Sequence, residues 1–269
     1  MPIVPYKGYD LTVDGSSLKS QWERSTYELE VMLALCCIFS SQTGTALFHD
    51  FKGTGRSIKI VPEVGDGIGA NARPASRDAL PLREGCYLQE SLDGERECSL
   101  SNWVGFVSPK IDAGRGSSSV IEFSMSKYHG KYPGSSPDEI LFHEMVHALR
   151  NARGINGATK ELLPGSIFRS GKIYENEEEF IAILITNIYR SEQQRPKLRM
   201  DHNGYSDLDT DTDETFLPDR DESDYRYRLV HKLVAQDPRL VQELQLIPSK
   251  FNPIRRFFQL QYPDRLISG

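Results

Sequence analysis

Between Ser136 and Gly154 the chain reads SPDEILFHEMVHALRNARG, and no other stretch leaves so little structural freedom. Ser136 suits a helix N-cap and Pro137 the first helical position, while Glu139, three residues after the cap, can reach back to complete a capping box. Gly154 is a natural stop, because glycine accepts the left-handed backbone that ends many helices. One helix over Pro137–Arg153 is therefore predicted. On it His143 and His147 lie one turn apart on a common face, as tetrahedral zinc requires of two ligands drawn from one element. Glu144 is turned about 100° around the axis from His143. Its carboxylate can then reach a water at the metal without binding the ion, the position of a general base. Types and order match H-E-x-x-H. An ordinary helix with two imidazoles would match as well. The caps, the apolar neighbours Leu141, Phe142, Met145, Val146, Ala148 and Leu149, and a preceding strand favour the metal.

A hydrolytic site needs a third protein ligand and an open position. The segment YENEEEF begins a second capped helix about 30 residues after His147 and offers Glu175, Glu177, Glu178 and Glu179. With Asn176 as N-cap, Glu179 would turn back to complete a capping box. Glu178 would then share the inward face of Ile181, Ala182 and Ile185, and it is the expected ligand, with Glu179 as the alternative. Part of this acidity serves simply to stabilise a helix N-terminus. His49, His129 and His231 are rival ligands. Beyond the second helix, KLRMDHNGYSDL supplies Arg199, His202 and Tyr205, of which His202 and Tyr205 rank first as donors to a developing oxyanion.

Composition narrows the function. The net charge of −6 and the lack of a polybasic stripe argue against general nucleic-acid affinity. The longest apolar run, VMLALCCIF, is about half the length of a membrane span, so a buried helix is expected there, with Cys36 and Cys37 as small buried hydrophobes. MPIVPYKGYD lacks the basic and apolar regions of a secretion signal, so no cleavable leader is expected. Cys86 and Cys98 sit in a polar stretch and can pair only in an oxidising compartment.

Along the chain, IVPYKGYDLTVDGSS suggests a hairpin, and helices are predicted from about Leu18 to Ser40 and over TGTALFHDF. A strand follows at RSIKIVPEV, with Ile58 and Ile60 on one face. Residues from about 65 to 116 read as a loop-rich excursion with a strand at WVGFVSP. Val120–Tyr128 is the strand expected to form the edge of a substrate cleft. The acidic run DLDTDTDETFLPDRDESD reads as a solvated loop, and two amphipathic segments make a helical C-terminal part from about 222 to 269. A single domain over 1–269 is expected.

ILFHEMVHALR together with YENEEEFIAILITNIYRSE resembles the HExxH metallopeptidase effectors that bacteria deliver by type III and type VI secretion. It is more distantly similar to clostridial neurotoxin light chains. The likeness spans residues 5 to 205, with specific motifs only from 138 on. It implies an α+β, zincin-like fold of gluzincin type: a small mixed sheet packed on the HExxH helix and a glutamate-ligand helix. In the neurotoxin light chains the earlier glutamate of an EE pair binds zinc, and that resemblance assigns the ligand role to Glu178 and a supporting one to Glu179. The implied function is a zinc-dependent endopeptidase, exported without a cleaved signal. It would act on protein or peptide substrates in a target cell, with a secretion-machine, chaperone or immunity partner. A zinc amidase acting on cell-wall amides, or a zinc-containing binding module, are the alternatives. Segment 65–116 and the acidic run after 205 have no counterpart in the resemblance.

Overall fold

A computed structural model describes residues 10–63, 69–81, 113–157, 174, 176–201, 207–208 and 212–262. The WVGFVSP segment, Cys86, Cys98, Glu175, His202 and Tyr205 lie outside the described residues.

The elements run in the order β1 (Leu11–Val13), α1 (Gln21–Phe39), α2 (Gln42–Lys52), β2 (Ile58–Val61), β3 (Asn71–Pro74) and β4 (Ser119–Glu122). They continue with α3 (Pro137–Arg153), α4 (Glu177–Glu192), α5 (Asp213–Phe216), α6 (Tyr225–Gln236), α7 (Pro238–Leu244) and α8 (Pro253–Gln261). The four strands form one mixed sheet in the order β1-β2-β4-β3, parallel except for β3, which runs antiparallel to β4. The fold is α+β, as expected. The hairpin expected at the start is not what the described residues form. Leu11–Val13 pairs in parallel with Ile58–Ile60, because α1 and α2 carry the chain back between them.

Ile58, Ile60, Ile121 and Phe123 alternate inward along β2 and β4 and meet the helices in one buried cluster. The strand expected over Val120–Tyr128 is shorter, since a 3-10 turn takes over at Met125–Lys127. It is also internal, flanked by β2 and β3, so it cannot be a cleft edge. Among the described residues the edge next to β4 is β3, whose NARP sequence lies in the supposed loop excursion; its Pro74 suits an edge position.

In α1 the inward residues are Tyr27, Val31, Ala34, Leu35 and Ile38, at helical spacing. Cys36 and Cys37 follow Leu35 around the helix and face outward. They are exposed, not buried as expected. Among the described residues no single helix is long and apolar enough to cross a membrane. The acidic run holds a short helix: α5 buries Phe216, and Asp213 pairs with Arg255 (2.9 Å).

Helix α3 occupies the predicted span and lies against β3, β4, α1, α2 and α4. Every residue from Asp138 to Ala152 is buried. A helix enclosed all round must find partners for its charges, and those partners set the geometry of the site.

Candidate metal centre

Helices α3 and α4 pack antiparallel, and polar bonds pin the far end of the pair. Tyr189 Oη donates to Asp138 Oδ2 (2.6 Å), Arg190 pairs with Glu139, and Arg195 pairs with both Asp138 and Glu139. Phe142 stacks on Tyr189 with ring centroids 4.6 Å apart. The capping box at Ser136 and Glu139 is present, and Gly154 closes the helix in the left-handed conformation (φ 69°). This packing brings His143 and His147 opposite the first turn of α4. There the Asn176 side chain accepts the N–H of Glu179 (2.9 Å) and fixes where that turn begins.

Three donors converge. His143 Nε2 and His147 Nε2 are 3.1 Å apart, and Glu179 Oε2 is 3.2 Å from His143 Nε2. Glu179 Oε1 is 3.5 Å from His147 Nε2. Ligands about 2.0–2.1 Å from a tetrahedral ion stand about 3.3 Å from one another, so these separations fit one ion. Two neutral nitrogens and one carboxylate oxygen form a donor set that a divalent metal accepts.

The charges agree with that use. Burial pushes the His143 pKa down to about 3, despite Glu179, and keeps the ring in the neutral form that ligates. Burial opposes ionisation of Glu179 too, but the charge on His147 outweighs it and holds the carboxylate well below its usual range. His147 is driven the other way: Glu179 and Glu178 overcome its burial and raise its pKa, so the cluster attracts positive charge. Glu144 sits beside the cluster, almost fully buried, and accepts the main-chain N–H of Ala72 on β3. Burial lifts its pKa to about 7, suited to a group that must take and release a proton.

The structure therefore brings together His143, Glu144 and His147, but places Glu179 where Glu178 was expected. Glu178 does point inward, as anticipated, yet its carboxylate is committed elsewhere. Oε1 accepts from His147 Nδ1 (3.2 Å), and Oε2 accepts from Arg150 Nε (2.7 Å) and Gly157 N (2.8 Å). The capping-box argument failed because Glu179 turns to the histidines and not back to its own helix. The rival histidines are elsewhere: His129 is exposed, His49 lies 3.2 Å from Glu243, and His231 stacks on Phe257.

Arg150 was missed by sequence reasoning, although an arginine three residues after His147 on an enclosed helix was a readable signal. Arg199 is buried, and its charge lowers the pKa of both His143 and Glu144.

A family model for peptidase M91, described as an effector protein, matches residues 19–222. This chain belongs to the M91 peptidases. The match contains α3, α4 and the whole described sheet except β1, and it stops just before α6. No curated protein matches the chain. As an M91 peptidase the chain is a metallopeptidase of an effector family, and its candidate metal site is His143, His147 and Glu179.

Proposed function

We propose that this M91 peptidase is a zinc-dependent endopeptidase that cuts proteins inside a target cell. The observation that carries the reading is the convergence of His143, His147 and Glu179 from two helices, with buried Glu144 beside them. The N2O donor set favours zinc over the harder cations, which prefer oxygen alone. A zinc ion held by these side chains supplies a Lewis acid that lowers the pKa of a water and polarises the scissile carbonyl. Glu144 takes the proton from the attacking water and returns it to the leaving amine. The open edge of β3 lies against α3, and Ala72 on that strand anchors Glu144. An extended peptide added along this edge would set its carbonyl beside the base.

Help to the developing oxyanion is assigned to the segment after α4. Arg199 is supported by its electrostatic reach to His143 and Glu144. His202 and Tyr205, which lie outside the described residues, are the companion donors in this reading. The effector family supports delivery to a target cell; in this reading the compartment is host cytosol or competitor periplasm, and the partner a secretion machine, a chaperone or an immunity protein.

The test compares wild type with Glu144→Gln by metal analysis and by mass spectrometry of new peptide termini in a denatured protein mixture. Both proteins should carry about one zinc, while the variant should lose at least about 100-fold in cleavage rate. Equal cleavage by the two proteins, or zinc-loaded wild type that produces no new termini, would overturn the reading.

A further inference from the structure

We propose that Glu178 and Arg150 are positioning residues of the metal centre, held in place by the junction of α6 and α7, which lies beyond the matched M91 segment. The inference rests on the metal-site reading above and concerns how tightly that site holds its ion.

Glu178 is buried, and its two oxygens accept three hydrogen bonds, from His147, Arg150 and Gly157. The bond from His147 fixes the tautomer. If Nδ1 carries the proton, Nε2 presents a lone pair, and Nε2 is the atom that faces His143 and Glu179. A carboxylate on the far nitrogen also raises the basicity of the ligating one and prevents the ring from turning.

Arg150 in turn needs anchoring, because a buried guanidinium is costly without partners. Its Nη2 donates to Ile155 O (2.9 Å) and to Gln236 Oε1 (3.4 Å), the last residue of α6. Next in sequence is Asp237, also buried and within electrostatic reach of Arg150. Among the described residues, Arg150 Nη1 and Asp237 Oδ2 are both buried without a hydrogen-bond partner. Asp237 lies 4.0 Å from Arg153, which pairs with Asp50, and Arg239 on α7 stands 3.9 Å from Asp50. A line of alternating charge thus runs from His147 through Glu178, Arg150, Asp237, Arg153 and Asp50 to Arg239. Four of its members lie on α3 or α4, while Asp237 and Arg239 come from the C-terminal part.

The experiment measures zinc affinity of the full chain by competition with a chromophoric chelator at pH 8, together with the visible spectrum of the cobalt-substituted protein. Glu178→Gln and Arg150→Met should weaken zinc binding about 10- to 100-fold and alter the cobalt spectrum. Asp237→Asn should fall between wild type and Glu178→Gln. Thermal melting of the metal-free proteins is recorded alongside, and Asp237→Asn serves if Arg150→Met does not fold. Glu178→Gln that binds zinc within twofold of wild type, with an unchanged cobalt spectrum, would overturn the inference and leave the metal site standing. Wild type that binds no zinc would overturn both.

Discussion

Adjacent residues on a helix point about 100° apart, so of two neighbouring glutamates only one can face a given atom. Glu178 and Glu179 divide the work on this basis: Glu179 meets both imidazole Nε2 atoms, while Glu178 lies behind His147 against Arg150. Their variants should therefore behave differently. Glu179→Gln should leave the protein with well under one bound zinc after dialysis, because a neutral amide is a poor ligand. Glu178→Gln should still reach one zinc per chain when the metal is in excess. Metal analysis of both proteins checks this, and full loading of Glu179→Gln would remove it from the ligand set. The histidines and Glu144 were legible because one helix carries them at a spacing that geometry makes meaningful. Glu179 was legible only as the alternative, because local capping rules compete with a partner on another helix.

Among elements, the two best defined by sequence are α3 and α4, since both begin at recognisable caps and α3 ends at Gly154. Gly154 is more than a stop signal. A Cβ there would lie 2.4 Å from Gly114 O, and φ is 69°. Gly154→Ala should therefore cost about 2 kcal/mol or more, from left-handed strain and the clash together. The denaturation midpoint should fall accordingly; an unchanged midpoint would mean that the Gly114 segment simply moves away. Strand β3 was illegible for the opposite reason. NARP alternates only a small alanine and a proline with its polar residues, and an edge strand with no fully buried residue leaves a weak period to read. The outward cysteines of α1 show a related limit: an apolar run that continues all round a helix does not say which side is covered.

Across the whole molecule, charged contacts join the start of α7 to α3 and α2. Asp50 and Asp237 face one another in that region, flanked by Arg150, Arg153 and Arg239. Burial and the neighbouring Asp50 lift the Asp237 pKa to about 7. The native state then holds a proton that the unfolded chain, with an ordinary aspartate, gives up near pH 4. Stability from this group is complete below that value and is lost as pH rises toward 7 and beyond. Between pH 5 and 8 the loss should be on the order of 2 kcal/mol. Asp237→Asn should flatten this decline and melt above wild type at pH 8, even as it weakens zinc binding. Parallel melting profiles for the two proteins would show that the pair does not set the pH response.

What the sequence determined by itself was chiefly local: the span of α3, its caps, the shared face of His143 and His147, the place of Glu144, and an acidic helix to complete the site. Each depends on backbone periodicity and end effects, which neighbouring residues carry in full. Tertiary structure alone decided that Glu179 and not Glu178 meets both imidazole Nε2 atoms, that NARP is the described edge strand beside Glu144, and that Gln236 at the end of α6 meets Arg150 behind Glu178. Those choices depend on which charge finds a partner across helices far apart in sequence. A buried carboxylate goes to the cation or imidazole that packing brings to it.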